Sequence, residues 1–181
     1  MKINKKSFFK ELRSWIFTIF IALAIYLVIT QFVQIGKING SSMESTYFDG
    51  NLIIINKFNR EYKENDIVTF SYLKYMEDHY KDLLNKNGFG EFYIPQSVTN
   101  EGHIKRVLGV PGDKVKIRDN KLLYINGKLK RKGENYIPDQ NYTLKDDEYF
   151  VVGDNTNNSF DSRLHGPVRV EDIYGKVFIF N

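Results

Sequence analysis

Residues 40–47 read Gly-Ser-Ser-Met-Glu-Ser-Thr-Tyr and crowd the hydroxyls of Ser41, Ser42, Ser45 and Thr46 into one short loop. A serine attacks only after a positioned base has taken its proton. The chain has three histidines, His79, His103 and His165. None stands in a pattern that marks it as that base, and each reads as a surface residue. Their spacing suits no metal. With no cysteine in the chain, neither a disulfide nor a thiolate zinc site is available.

A lysine held neutral by burial is the other base a serine can use. Lys105 is the candidate, in the stretch His-Ile-Lys-Arg-Val-Leu-Gly-Val-Pro-Gly-Asp from His103 to Asp113. Side chains alternate across a strand, so Lys105 shares a face with Val107 while Ile104, Arg106 and Leu108 take the other. On an inner face its pKa must fall by roughly 3 units to serve near neutrality, a cost of ~4 kcal/mol. On an outer face it is an ordinary solvated lysine, and the pattern alone allows both. The third cluster is Val151–Gly166, where a strand runs into Gly153-Asp154-Asn155, followed by Ser159, Asp161, Ser162 and Arg163. Read by composition, this is an Asx-turn loop carrying an Asp–Arg pair.

The elements that must position these groups come in two kinds. Trp15–Val33 is an uncharged run of 19 residues. As a helix it rises roughly 28 Å, enough to cross a hydrocarbon core. A cleaved signal would be shorter and end at small residues, whereas Gln-Phe-Val-Gln-Ile-Gly closes this run, so the expectation is a retained span. Residues 1–14 form a basic tail in front of it, and basic residues favour the cytoplasmic side. The expected organisation is a cytoplasmic tail (1–14), a membrane helix (15–33) and an extracellular domain (37–181).

Past residue 37 the apolar residues fall into strand-length runs: 51–57, 66–70, 103–110, 113–117, 121–127, 148–154 and 175–180. They are rich in β-branched and aromatic residues and bounded by Gly, Asn, Asp or Pro. Asn126-Gly127 is a hairpin signal and Pro111-Gly112 another turn. The expected fold is mainly β, with antiparallel sheets forming an open barrel or sandwich. Residues 71–102 break the pattern and read as an inserted loop or subdomain, with a short helix near Tyr72–Leu84.

The formal charge of +4 excludes more than it suggests. The tail's five basic residues and one acidic residue account for all of it, leaving the domain neutral. A neutral domain has no footprint for a phosphate backbone, so nucleic acid is not an expected partner.

Taken in order, the three clusters resemble the boxes of type I signal peptidases, membrane-anchored serine proteases with a Ser-Lys dyad. The family's Ser-Met-x-Pro-Thr corresponds to Ser42-Met43-Glu44-Ser45-Thr46. Its Lys-Arg-Val-x-Gly-x-Pro-Gly-Asp is matched throughout from Lys105 to Asp113, and its Gly-Asp-Asn-x-x-x-Ser-x-Asp-Ser-Arg from Gly153 to Arg163. The resemblance covers nearly the whole chain. It implies Ser42 as nucleophile, Lys105 as general base and Ser159 as the group that orients the lysine. It further implies an oxyanion hole from the Ser42 and Gly40 backbone N–H groups, with Ser41 as a further donor. Met43 would lie under the substrate, and Asp154, Asp161 and Arg163 would form an ion-paired frame. No cofactor is implied. The implied substrates are secretory precursors with small residues at the cleavage site, met at the membrane lipid and entering extended over two shallow pockets. Ser45 stands where the family has proline, Tyr47 where it commonly has leucine, and Thr156 where it commonly has arginine. The alternatives are a non-catalytic or dedicated helper of pilin assembly and a Ser-Lys autoprotease.

Overall fold

The computed structural model describes residues 5–71, 102–119, 121–133, 137 and 139–179. The chain starts as one long helix, α1 (Lys5–Phe32). Within it the 24 residues Phe9–Phe32 are long and apolar enough to cross a membrane, and the rest of the protein buries none of them. A helix that is apolar all round and uncovered by protein suits lipid. It ends one residue short of the expected span. Val33 is β-branched and already opens strand β1 (Val33–Lys37). The amide of Lys57 donates to the Phe32 carbonyl at 2.8 Å, and the Phe32 and Phe58 rings meet at 5.4 Å.

Ten further strands follow in chain order: β2 (Leu52–Asn56), β3 (Ile67–Phe70), β4 (His103–Gly109), β5 (Lys114–Arg118), β6 (Leu122–Ile125), β7 (Lys128–Lys132), β8 (Gln140–Thr143), β9 (Glu148–Val152), β10 (Val168–Arg169) and β11 (Ile173–Ile179). A single-turn helix, α2 (Ser162–His165), precedes β10. Two open antiparallel sheets result. The larger runs β1-β2-β11-β3-β4-β9-β10 and the smaller β7-β6-β5-β8. The mainly antiparallel β fold expected from the sequence is the fold observed.

The seven expected apolar runs all contain strands. Asn126-Gly127 turns β6 into β7 with both φ angles positive, 50° and 78°. Strands β1, β8 and β10 carry little apolar alternation. All three lie at sheet edges, where one face or one side meets solvent and the hydrophobic signal is weak. The segment expected as an insertion, 71–102, lies almost wholly outside the described residues.

Strands β4 and β9 are buried on both faces and so form the spine. Val107 and Val151 face a core with Phe70, Val68 and Ile173. Leu108, Phe150 and Val152 face the second sheet through Val115, Ile117, Leu123 and Ile125. A third cluster, Ile38, Met43, Ile53, Ile55, Ile67 and Val177, packs the start of the domain against its last strand. Each such side chain contributes about 1.5–3 kcal/mol on burial, so β4 is held firmly and whatever it carries is held with it.

Candidate active site

Strand β4 settles the face of Lys105. Its register, Val68 against Lys105 and Val107 against Val151, turns Lys105 to the same inner side as Val107. The residue is 3 % exposed. Its Nζ donates to Ser42 Oγ at 2.8 Å and to the Ile104 carbonyl at 2.9 Å. Burial pushes the Lys105 pKa down to about 8, with Asp161 opposing the fall and Arg163 adding to it. A group of that kind loses its proton readily near neutrality and can then take one from the hydroxyl it touches.

Ser42 sits between β1 and β2 in a chain of tight turns, with Glu44 N–H bonding Ser41 O and Tyr47 N–H bonding Met43 O. Ser45, where the resembled family has proline, takes a left-handed φ of 84°. The residues after Gly153 brace this loop from outside. Asn155 N–H donates to Ser42 O at 3.0 Å, Asn155 Nδ2 to Ser41 O at 3.1 Å, and Asn158 Nδ2 to Ser41 Oγ at 2.7 Å. The approach is so close that a Cβ on Gly153 would lie 2.2 Å from Ser159 Oγ and 2.6 Å from Ser42 O. Only glycine fits there.

Two separate ion pairs replace the single frame expected from Asp154, Asp161 and Arg163. Asp161 and Arg163 do pair, with both Nε–Oδ1 and Nη2–Oδ2 at 2.8 Å, and both residues are buried. Asp161 also caps α2 and accepts from Gly153 N–H at 3.0 Å. Burial alone would raise its pKa, but the Arg163 bond and charge and the Gly153 amide hold it below the usual carboxylate value. Asp154 instead turns to β4 and the serine loop. It accepts from Arg106 at 2.8 and 2.6 Å, from Thr46 Oγ1 at 2.6 Å and from Arg131 at 3.4 Å. Burial again opposes its ionisation and Arg106 and Thr46 prevail. Successive residues of β4 point to opposite faces, so Lys105 turns to Ser42 while Arg106 reaches Asp154.

Other expectations need correction. The Lys105 hydrogen bonds go to Ser42 and Ile104; Ser159 Oγ is buried and acts on the Asp161 carboxylate, which it helps keep ionised, rather than on Lys105. Gly40 N–H donates to Asp49 Oδ1 at 2.9 Å, so it is already committed within its own loop. Ser41 is held by Asn158. Met43 is 1 % exposed and belongs to the third core cluster while also lining the cleft at Ser42. That cleft, of about 400 Å³, is bounded by Ile38, Asn39, His103 and Ile104 as well. Nor are the described histidines surface residues. His165 is 4 % exposed, with Phe160 at 5.6 Å and Phe70 at 6.4 Å between ring centres. Burial pushes its pKa down to about 3, and that of His103 to about 4 with help from Lys105. His79 lies outside the described residues. Thr46, Arg106, Asn155 and Asn158 stand inside the three boxes, where their position was a signal. Asp49 and Arg131 had none, because only the folded topology brings them in.

The site thus sets a serine hydroxyl against a buried lysine of lowered pKa. The model of the signal peptidase family, peptidase S26, matches residues 12–180. The chain belongs to that family. This signal peptidase is 31% identical over 192 residues to signal peptidase IB of Staphylococcus aureus, covering 93% of this chain and 88% of that protein. It is 32% identical over 159 residues to signal peptidase I V of Bacillus subtilis, covering 78% of this chain and 81% of that one. A solved signal peptidase I from Enterococcus faecalis is 24% identical with a TM-score of 0.41, covering 67% of this chain and 97% of the other.

Proposed function

We propose that this signal peptidase cleaves signal peptides from secretory precursors with Ser42 as nucleophile and Lys105 as general base. The observation that carries the reading is the 2.8 Å contact between Ser42 Oγ and a lysine amine 3 % exposed. Once neutral, Lys105 accepts the Ser42 proton as Oγ attacks the scissile carbonyl. The tetrahedral oxyanion collapses to an acyl-enzyme, the leaving amine takes the proton from Lys105, and water then releases the acyl half. Ser42 N–H makes no hydrogen bond among the described residues and is the donor offered to the oxyanion. Gly40 joins it only if Asp49 lets go. Asp161–Arg163 and Asp154–Arg106 hold the loops on either side, and neither pair touches the reacting atoms.

With the basic tail in the cytoplasm, α1 sets the domain on the outer face of the membrane, where precursors emerge. Five residues of β1 and a short loop separate the helix from Ser42, so the nucleophile is kept near the cleavage point and its effective concentration is high. A helper without catalysis would have no use for a desolvated lysine against a serine.

The test is cleavage of a signal-peptide substrate by the purified full-length protein in detergent. Ser42→Ala and Lys105→Arg should each abolish turnover with the fold retained, since a guanidinium cannot act as base near neutrality. Processing that survives in Ser42→Ala would remove the reading.

A further inference from the structure

Strand β7 is an edge strand of the smaller sheet, yet one of its side chains reaches the candidate site. Its pairing with β6 slips once. Leu129 lies opposite Tyr124 and Arg131 opposite Leu123, so Lys130 is an extra residue, a β-bulge. Leu123 is buried in the second core cluster. In a regular strand Arg131 would share the outer face with Leu129, which is 54 % exposed. The bulge turns it to the inner face, beside Leu123. There its Nη2 lies 3.4 Å from Asp154 Oδ1, and the Asp154 side chain is only 6 % exposed. The extra residue is used as well, since Lys130 Nζ pairs with Glu64. Glu64 precedes Asn65, whose carbonyl accepts from Arg106 Nη1 at 3.0 Å. Past the bulge the chain runs close to the second ion pair, where a Cβ on Gly133 would lie 3.4 Å from Arg163 Nη1.

We infer that Arg131 is a positioning residue for the peptidase reaction, through which the smaller sheet steadies the serine loop by way of Asp154. The inference rests on the proposed mechanism. Arg106 grips the Asp154 carboxylate at two points, Nε on Oδ1 and Nη2 on Oδ2. Both oxygens keep a lone pair for a second donor. Thr46 Oγ1 takes Oδ2 and Arg131 takes Oδ1. Arg106 and Asp154 belong to the larger sheet and its following loop, so they can tilt together. A contact from the other sheet fixes the plane in which Oδ2 meets Thr46. The Thr46 N–H in turn bonds Met43 O at 3.1 Å, one residue past Ser42. The path from β7 to the nucleophile therefore runs through Arg131, Asp154, Thr46 and Met43. Arg131 touches no reacting atom. Asp161 and Arg163 are the charges that act on the Lys105 amine, so Arg131 governs where Ser42 stands and not when the base loses its proton.

The experiment measures kcat and KM of the full-length protein in detergent on one signal-peptide substrate. Arg131→Met keeps the apolar stem and removes the guanidinium. It should lower kcat about tenfold, less than the roughly 100-fold that a 1 Å displacement can cost. KM should stay within about twofold of wild type, and the rise of activity with pH should not move. Arg131→Gln should behave in the same way and stands in if the methionine variant does not fold, while Arg131→Lys should restore most of kcat. Lys132→Met, on the exposed residue opposite Leu122, should change nothing. In a Thr46→Val background the path is already cut, so adding Arg131→Met should cost less than about twofold more. Wild-type kcat in the methionine and glutamine variants overturns the inference and leaves the peptidase reading intact. So do losses that multiply in the double variant, a shifted pH profile, a lysine variant as poor as methionine, or a loss accounted for by unfolded protein at the assay temperature. A wild type that cuts nothing removes the mechanism and the inference together.

Discussion

At the scale of single residues, Lys105 is where the proposed mechanism gives up stability for chemistry. An unfolded lysine titrates near 10.5 and this one is pushed down to about 8. Between those values the unfolded chain holds more protons than the folded one, so stability rises with pH across that window. Below about 8 the full penalty, on the order of 3 kcal/mol, is present. Lys105→Met should therefore be inactive yet unfold at higher denaturant at pH 7, a gain of about 1–3 kcal/mol after the lost hydrogen bonds are counted. The wild type should show kcat/KM climbing through an apparent pKa near 8, and a profile flat from pH 6 to 9 would contradict Lys105 as the base. His103 and His165 cannot supply that limb, because burial leaves them neutral throughout this range. Strand alternation paired Lys105 with Val107 correctly. Which of the two faces was inner depended on the sheet that packs behind β4, and no local pattern contains that.

At the scale of elements, the loop from Gly153 to Arg163 is the part that locates everything else. It begins where β9 leaves the sheet beside β4, touches the serine loop through Asn155 and Asn158, and ends on the buried Asp161–Arg163 pair that caps α2. Gly153→Ala should be far more damaging than a methyl group suggests. A Cβ there meets Ser159 Oγ and the Ser42 carbonyl well inside contact distance, so one of the two loops must move. We expect a loss of about 1–3 kcal/mol in thermal or chemical denaturation and a fall in kcat of at least about 100-fold. Wild-type kcat in a folded variant would show that the approach is not needed. The apolar strands and the box order were legible in the sequence because each is a local signal. The partners of Asp154 were not. Its neighbours in sequence point to Arg163, whereas alternation along β4 sends Arg106 to it and keeps Lys105 for the serine.

At the scale of the molecule, the order of strands differs from their order in the chain. The unit that carries Ser42, β1 with β2, and the unit that carries Lys105, β3 with β4 and β9, share no ladder of their own. The last strand, β11, lies between them and bonds to β2 on one side and β3 on the other. Its Val177 also packs into the cluster that contains Met43. A stop codon placed just before Ile173 should therefore give a protein that retains both dyad residues and its membrane helix but cleaves nothing, as a peptide assay on the membrane fraction would read. Synthesis runs from α1 outward, so a nascent copy carries Ser42 past the ribosome long before β11 arrives. In the proposed mechanism the site therefore stays unassembled until β11 has emerged and paired with β2 and β3, a safeguard against premature proteolysis that comes from topology alone.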